Sequence, residues 1–328
     1  MMIENVNSQD LVILGERIEL GISKKLNLNM ARLFTSTEVD VPVYVERSKI
    51  PGPTVLITSG IHGDEINGME IVRQLIQKKM NIPKRGTIIC IPVINVFGFI
   101  NMSRMFPDGR DLNRVFPGSK NGSLASRFAH HFVSGILHNA DLCMDFHTGG
   151  GQRFNASQIR VDQNNPELKK LADIFSAPFT VYSNSIPKSY RATCKKMGIP
   201  ILLNESGKSL KSNKMIAQHA VGGIMRVLAH MDMLNKKFTP PEAYYDNIVI
   251  SGSKWIRASH SGFLHPKISI HDFAKKGDLI ATIVSPYGES RHVIKAPNDG
   301  YVINVNEAPM IYQGDAIFHI STKTENGI

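Results

Sequence analysis

The stretch Thr54-Val55-Leu56-Ile57-Thr58-Ser59-Gly60-Ile61-His62-Gly63-Asp64-Glu65 decides how this chain folds. Its first five residues are β-branched or aliphatic and read as a buried strand. The periodic pattern from about residue 65 to 79 reads as the helix that follows. Gly60 and Gly63 allow the tight backbone between the two. A strand that runs into a helix is the unit of a layered α/β domain, and the same alternation extends in both directions. Short apolar runs at 43–45, 87–93, 142–146 and 199–203 alternate with helical patterns at 124–137, 166–175 and 219–234. The expected fold is therefore α/β, a mixed, mostly parallel sheet flanked by helices. In such sheets functional side chains gather at the carboxyl ends of strands.

The pattern changes after residue 234. Thr239-Pro240-Pro241 reads as a linker, and from Ile248 onward there are short strands and turn residues without a helix. Two domains are expected, residues 1–240 and a small all-β domain over 248–328. The second contains a weak repeat. Ala258 to Phe263 followed by Lys276-Gly277-Asp278 is echoed by Ala296 to Tyr301 followed by Gln313-Gly314-Asp315. This pseudo-symmetry resembles a biotinyl/lipoyl carrier fold, but the joining segment Ser285 to His292 has no lysine to modify. A structural or substrate-covering role fits it better.

Composition bounds the remaining classes. A chain of 328 residues that is 42% hydrophobic and 20% charged can bury a large core and is neither disordered nor collagen-like. Its three cysteines, Cys90, Cys143 and Cys194, are too far apart for a Cys-x-x-Cys pair or a disulfide framework. Met1 to Asn7 lacks the basic and apolar character of a signal peptide, and the run at 88–100 is interrupted by Pro92, Asn95 and Gly98. The expectation is a cytoplasmic protein with no membrane partner. The net charge of +10 favours anionic partners without naming one.

His62 and Glu65 form a His-x-x-Glu pair at the strand-to-helix turn, where an imidazole and a carboxylate could share one zinc ion. A histidine beside a turn is also commonly just hydrogen-bonded. His147 is a third candidate ligand, since it ends the apolar run 142–146 and precedes Thr148-Gly149-Gly150-Gly151. Asp145 lies two residues earlier on the same strand face and could orient an imidazole or cap backbone amides. Between these motifs, Arg104, Arg110, Asn113 and Arg114 could form a fork for a carboxylate, or a solvated loop paired with Asp108 and Asp111. Finally, Glu205 in Asn204-Glu205-Ser206-Gly207 ends another apolar run and could act as a general base.

Taken in order, His62-Gly63-Asp64-Glu65, Asp111-Leu112-Asn113-Arg114, Asp145-Phe146-His147 and Asn204-Glu205-Ser206-Gly207 resemble the succinylglutamate desuccinylase/aspartoacylase family, a branch of the carboxypeptidase-A-like zinc hydrolases. The resemblance spans about residues 40–325. It implies one zinc ion per chain bound by His62, Glu65 and His147, with Glu205 as general acid and base. It also implies that Asn113 and Arg114 hold the substrate's carboxylate, and that an upstream arginine, Arg104 or Arg110, serves the tetrahedral intermediate. The implied activity is zinc-dependent hydrolysis of the amide bond of an N-acyl amino acid, a small anionic substrate with a free carboxylate. The segment 149–155 departs from the best-known members and borders the site, so the acyl group and amino acid stay open.

Two rival readings remain. A metallocarboxypeptidase would use the same residues on peptide C-termini, with only the space beyond the zinc being different. A C-terminal domain over the cleft would admit small acyl groups and an open groove would admit peptides; Tyr287 or Tyr312 of that domain could reach substrate or belong to its core. The other rival is a basic nucleic-acid-binding protein. Its lysines, however, are scattered pairs such as Lys24-Lys25 and Lys195-Lys196 rather than a stripe interleaved with aromatics, so no nucleic-acid partner is expected. The remaining histidines, among them His130, His131, His260, His265, His271, His292 and His319, read mostly as surface residues, and a homo-oligomer is possible but not readable.

Overall fold

The structure is a computed structural model that describes residues 10–32 and 35–325. The N-terminal stretch Met1 to Asn7 lies outside those residues. A hairpin of β1 (Leu11–Ile13) and β2 (Glu16–Ile18) comes first, then the antiparallel pair β3 (Ser23–Arg32) and β4 (Glu38–Arg47). The α/β core follows as β5 (Thr54–Ser59), α1 (Ile66–Gln77), β6 (Thr87–Ile91), α2 (Val96–Ile100), a 3-10 turn at Leu112–Arg114, α3 (Leu124–Gly135) and β7 (Leu142–Gly149). It continues through β8 (Arg153–Val161), α4 (Pro166–Phe175), β9 (Phe179–Tyr182), α5 (Tyr190–Met197), β10 (Ile201–Lys208) and α6 (Lys214–His230). The rest is β structure: β11 (Ile248–Arg257), β12 (Gly262–Pro266), β13 (Phe273–Ala274), β14 (Leu279–Val284), β15 (Arg291–Lys295), β16 (Gly300–Asn306), β17 (Met310–Ile311) and β18 (Ala316–Thr324).

Twelve strands form one sheet in the order β13-β16-β18-β11-β9-β8-β10-β7-β5-β6-β4-β3. Its centre, β10-β7-β5-β6, is parallel, while β8 beside β10 and β4 beside β6 are antiparallel. The pairs β8–β9 and β9–β11 are parallel again, and the sheet is antiparallel toward its two edges, at β4–β3 and from β11 through β18 and β16 to β13. Every residue of β5, β6 and β7 is buried, as expected of strands covered on both faces. On one face α1, α4 and α6 pack through residues such as Ile71, Leu171 and Ile224. On the other, α3 and α5 contribute Phe128, Phe132, Tyr190 and Cys194. Each fully buried aliphatic or aromatic side chain of this kind contributes about 1.5–3 kcal/mol.

The helix starts follow local chemistry. Ser123, Asn165, Ser189 and Asn213 cap α3, α4, α5 and α6 by accepting backbone N–H bonds, each worth about 1 kcal/mol. Strands β3, β8 and β9 and helix α5 are additions to the sequence reading. Strand β8 is Arg-Phe-Asn-Ala-Ser-Gln-Ile-Arg-Val, too polar to register as an apolar run, yet Asn155 and Gln158 are buried within it.

From Ile248 onward the described chain has no helix. Part of this segment continues the large sheet: β11 pairs with β9, β16 with β8, and β18 with both β11 and β16. The rest forms a separate antiparallel sheet, β15-β14-β12-β17, and the two share a core around Leu264, Ile283, Ile317 and Phe318. The pairing of β16 with β8 brings this segment up against the carboxyl end of the central strands.

Candidate active site

The turn after β5 is shaped by its glycines. Gly60 has φ +65°, and a side chain at Gly63 would collide with the backbone of Gly98 in α2. Only an unsubstituted residue fits there, and this close approach directs His62 and Glu65 inward. His147 reaches the same point from the carboxyl half of β7. Ligand atoms of His62, Glu65 and His147 lie within 4.8 Å of one another, and the three residues are only 2–4% exposed.

The hydrogen bonds around the imidazoles decide what the group can bind. Nε2 of His147 donates to Asp145 Oδ2 at 2.7 Å, and Nε2 of His62 to Asp111 Oδ1 at 3.2 Å. Because an ionised carboxylate only accepts, Nε2 carries the proton in both rings. Each Nδ1 then faces an oxygen of Glu65, at 2.7 Å from His62 and 2.9 Å from His147. Nitrogen and oxygen lone pairs cannot face each other at that distance unless a proton or a cation lies between them. A divalent ion fits this buried set of two imidazoles and one carboxylate, with outer carboxylates orienting the rings.

The electrostatics agree. Burial opposes charge on His62 and His147, but the surrounding carboxylates outweigh it and raise both above the ordinary 6.5, His147 strongly through Asp145 and Glu65. Burial would raise Glu65, yet the two histidines hold its carboxyl well below the ordinary range. Without a metal, then, the site keeps its negative charge and takes up protons instead.

Asp111 does more than belong to the loop motif. Besides meeting His62, it accepts from Arg104 Nε and Nη2 at 3.1 and 2.8 Å and from the Asn113 amide at 2.9 Å. Arg104 is thereby held beside the metal group, with Nη1 at 3.4 Å from Glu65 Oε1. Arg110 is directed elsewhere: its guanidinium pairs with Asp108 within its own turn, and it does not line the cleft. Asn113 Oδ1 accepts the Tyr190 amide at the start of α5, which turns the Asn113 side-chain donor outward. Arg114 is exposed in the cleft, where its Nη1 donates to the Asn113 carbonyl at 2.7 Å.

Glu205 is the register partner of His147 on the adjacent parallel strand, so both side chains issue from the same face of the sheet. The register slips just beyond Glu205, which ends regular pairing there. Its Oε2 accepts from Asn155 Nδ2 at 2.8 Å, and Arg160 Nη1 stands 4.0 Å from Oε1.

These groups line a cleft of about 520 Å³ together with Arg153 and Asn155, from the segment 149–155 expected to border the site, and with four residues that the sequence does not single out, Arg160, Arg191, Trp255 and Asn304. The last two come from β11 and β16, so the C-terminal segment forms part of the wall. Trp255 stacks on His319, whose imidazole is not on the surface but half-buried and pushed down to about 3 by burial and by Arg160. Arg191 donates to Ser183, and burial and the neighbouring Arg160 lower it to about 10. Tyr287 and Tyr312, 85% and 79% exposed, do not line the cleft. No described helix is long and apolar enough to cross a membrane.

Known proteins are similar to this chain in sequence and in fold. The model of the succinylglutamate desuccinylase/aspartoacylase catalytic domain matches residues 51–231, more than half of the chain. The N-alpha-acetyl-L-2,4-diaminobutyric acid deacetylase of Halomonas elongata is 25% identical over 302 residues, covering 88% of this chain and 87% of that protein. Among solved structures, the product-bound ectoine utilization protein EutE of Ruegeria pomeroyi superimposes with a TM-score of 0.80 at 24% identity, covering 92% of this chain and 95% of that one. A succinylglutamate desuccinylase/aspartoacylase from Rhodobacter sphaeroides gives 0.79 at 24% identity, covering 92% and 97%. The matched region contains both arms of the His-Glu-His group, and the chain belongs to the succinylglutamate desuccinylase/aspartoacylase family as a deacylase with a metal site.

Proposed function

We propose that the protein is a zinc-dependent deacylase that hydrolyses the amide bond of an N-acyl amino acid with a free α-carboxylate. The observation that carries this reading is the placement of Glu205 beside His147, in one cleft with the His62–Glu65–His147 group and the Asn113–Arg114 pair. When bound, zinc supplies a Lewis acid for the scissile carbonyl and makes water more acidic. Glu205 takes the proton of the attacking water and returns it to the departing amine nitrogen. Arg104, locked by Asp111, presents Nη1 toward the negative charge that grows on the carbonyl oxygen. Arg114 and the free Asn113 amide hold the α-carboxylate, which fixes the amide over the metal group. The Halomonas relative, named for an N-acetyl amino acid, supports a small acyl group, as does the wall contributed by Trp255 and Asn304.

A second reading, cleavage of C-terminal residues from peptides, draws on one feature. A further chamber of about 500 Å³, bounded by Arg257, Asn306 and Asp315, shares Gly150, Gly151, Arg153 and Trp255 with the cleft and offers room for a longer chain. A screen of the zinc-loaded protein against N-acetyl, N-succinyl and peptide-linked amino acids tests both. Amine release from N-acyl amino acids alone is expected; release from peptides alone favours the second reading, and release from none contradicts both.

A further inference from the structure

The geometry points to Asn155 and Asn304 as positioning residues for the base, a relay through which the C-terminal segment sets the orientation of Glu205. This inference rests on Glu205 acting as the base. Asn155 Nδ2 donates to Glu205 Oε2 at 2.8 Å, and Asn155 Oδ1 in turn accepts from Asn304 Nδ2 at 2.6 Å. The two asparagines are 4% and 2% exposed, and they are direct register partners across the β8–β16 pair. Asn155 also pairs in register with Gly207, just past the irregularity in β10. That position carries no side chain, and the amide of Asn155 reaches back to Glu205.

The polarity of the relay is its main content. An asparagine side chain can be turned end for end, and only one of its two ends can face a carboxylate. A donor from Asn304 on Asn155 Oδ1 commits the Asn155 amide nitrogen to Glu205. The consequence is visible at the far end: Asn304 Oδ1 is buried with no hydrogen-bond partner among the described residues. A buried acceptor without a donor is destabilising, so the order of bonds is dictated from the Glu205 end and not by the comfort of Asn304. The other charged groups near Glu205 are Arg160 on β8, Arg191 on α5 and His147 on β7. None of them stands as close to a Glu205 oxygen as Asn155 does, so the relay fixes the carboxylate while leaving Oε1 to meet water.

The test uses the zinc-loaded full chain with N-acetyl-L-2,4-diaminobutyrate and N-acetyl-L-aspartate as probes, with zinc content and thermal melts recorded for each variant. Asn155→Leu should lower kcat by about 10–100-fold while KM stays within about two-fold, since the base is misplaced and the carboxylate fork is untouched. Asn304→Asp, which keeps shape but can only accept, should turn the Asn155 amide away from Glu205 and lower kcat in the same way. Neither should cost anything further in a Glu205→Gln background, where there is no base to orient. A second readout needs no turnover: in the metal-free protein the side-chain amide proton signal of Asn155 should shift in Glu205→Gln and in Asn304→Asp. Unchanged kcat in both asparagine variants, or a loss that repeats in full on Glu205→Gln, would overturn the relay. If Asn155→Leu does not fold, the isosteric Asn304→Asp decides alone. Wild-type turnover in Glu205→Gln would remove the base itself, an outcome distinct from failure of the relay.

Discussion

Replacing Asp145 asks whether the metal centre depends on how its imidazoles are held. In the wild-type chain Asp145 Oδ2 accepts from His147 Nε2 at 2.7 Å and Oδ1 from Thr58 Oγ1 at 2.8 Å, with the residue only 1% exposed. Asp145→Asn keeps an oxygen for His147, and the Thr58 hydroxyl, which accepts as well as donates, can turn to meet the new amide. Only the charge is lost, so zinc affinity should fall by about ten-fold, ~1.4 kcal/mol, the lower end for groups that orient metal ligands. Asp145→Ala removes both bonds and frees the ring to rotate, so affinity should fall by about 100-fold. It also strands the His147 N–H and the Thr58 hydroxyl, each orphan costing roughly 1–3 kcal/mol of folding stability. Competition for zinc against a chromophoric chelator measures the first effect, and denaturant unfolding of the metal-free protein measures the second. The expected order is wild type, then Asn, then Ala; equal zinc affinity in Asp145→Ala and wild type would show that Asp145 does not hold the His147 ring for the metal.

Other outcomes follow from the same geometry. His62→Ala and His147→Ala should each lose most of their zinc by elemental analysis, and full occupancy in both would sink the site. Arg104→Lys should depress kcat by roughly 10²-fold or more because the Asp111-locked fork is broken, whereas Arg110→Lys, on the far side of the turn, should behave as wild type. Arg114→Ala should raise KM for carboxylate-bearing substrates by about ten-fold or more and leave the discrimination against their amides much reduced. In the metal-free protein His62 and His147 are raised above 6.5, so the stability they contribute is fully present below that pH and is lost as pH rises through their raised values. The melting temperature of the chelated protein should therefore decline on the alkaline side of 6.5, and zinc, which needs neutral rings, should restore more stability there; a flat alkaline profile would contradict this.

What the sequence reveals and what it conceals both have physical causes. The strand, glycine turn and helix at 54–65 are legible because burial on both faces demands a continuous apolar run and the turn demands glycines. His62, Glu65, His147 and Glu205 are legible for a related reason, since each sits at or near the carboxyl end of such a run. Arg104 and Arg110 could not be told apart, because only the fold shows which guanidinium Asp111 captures. Strand β8 was hidden by its polarity. Asn155, in the cleft wall, and Gln158 are both buried, and no hydrophobic period marks them. Trp255 and Asn304 lie in the part of the sequence that reads as a separate domain, and only the pairing of β16 with β8 and of β11 with β9 and β18 carries them into the cleft wall.

In the proposed reaction a metal held by His62, Glu65 and His147 works together with Glu205 as the base. The most direct measurement is amine release from N-acyl amino acids by Glu205→Gln, with zinc content determined on the same sample. Full zinc occupancy with turnover reduced by about 10²–10⁴-fold is expected. Wild-type turnover by a zinc-loaded Glu205→Gln would contradict Glu205 as the base.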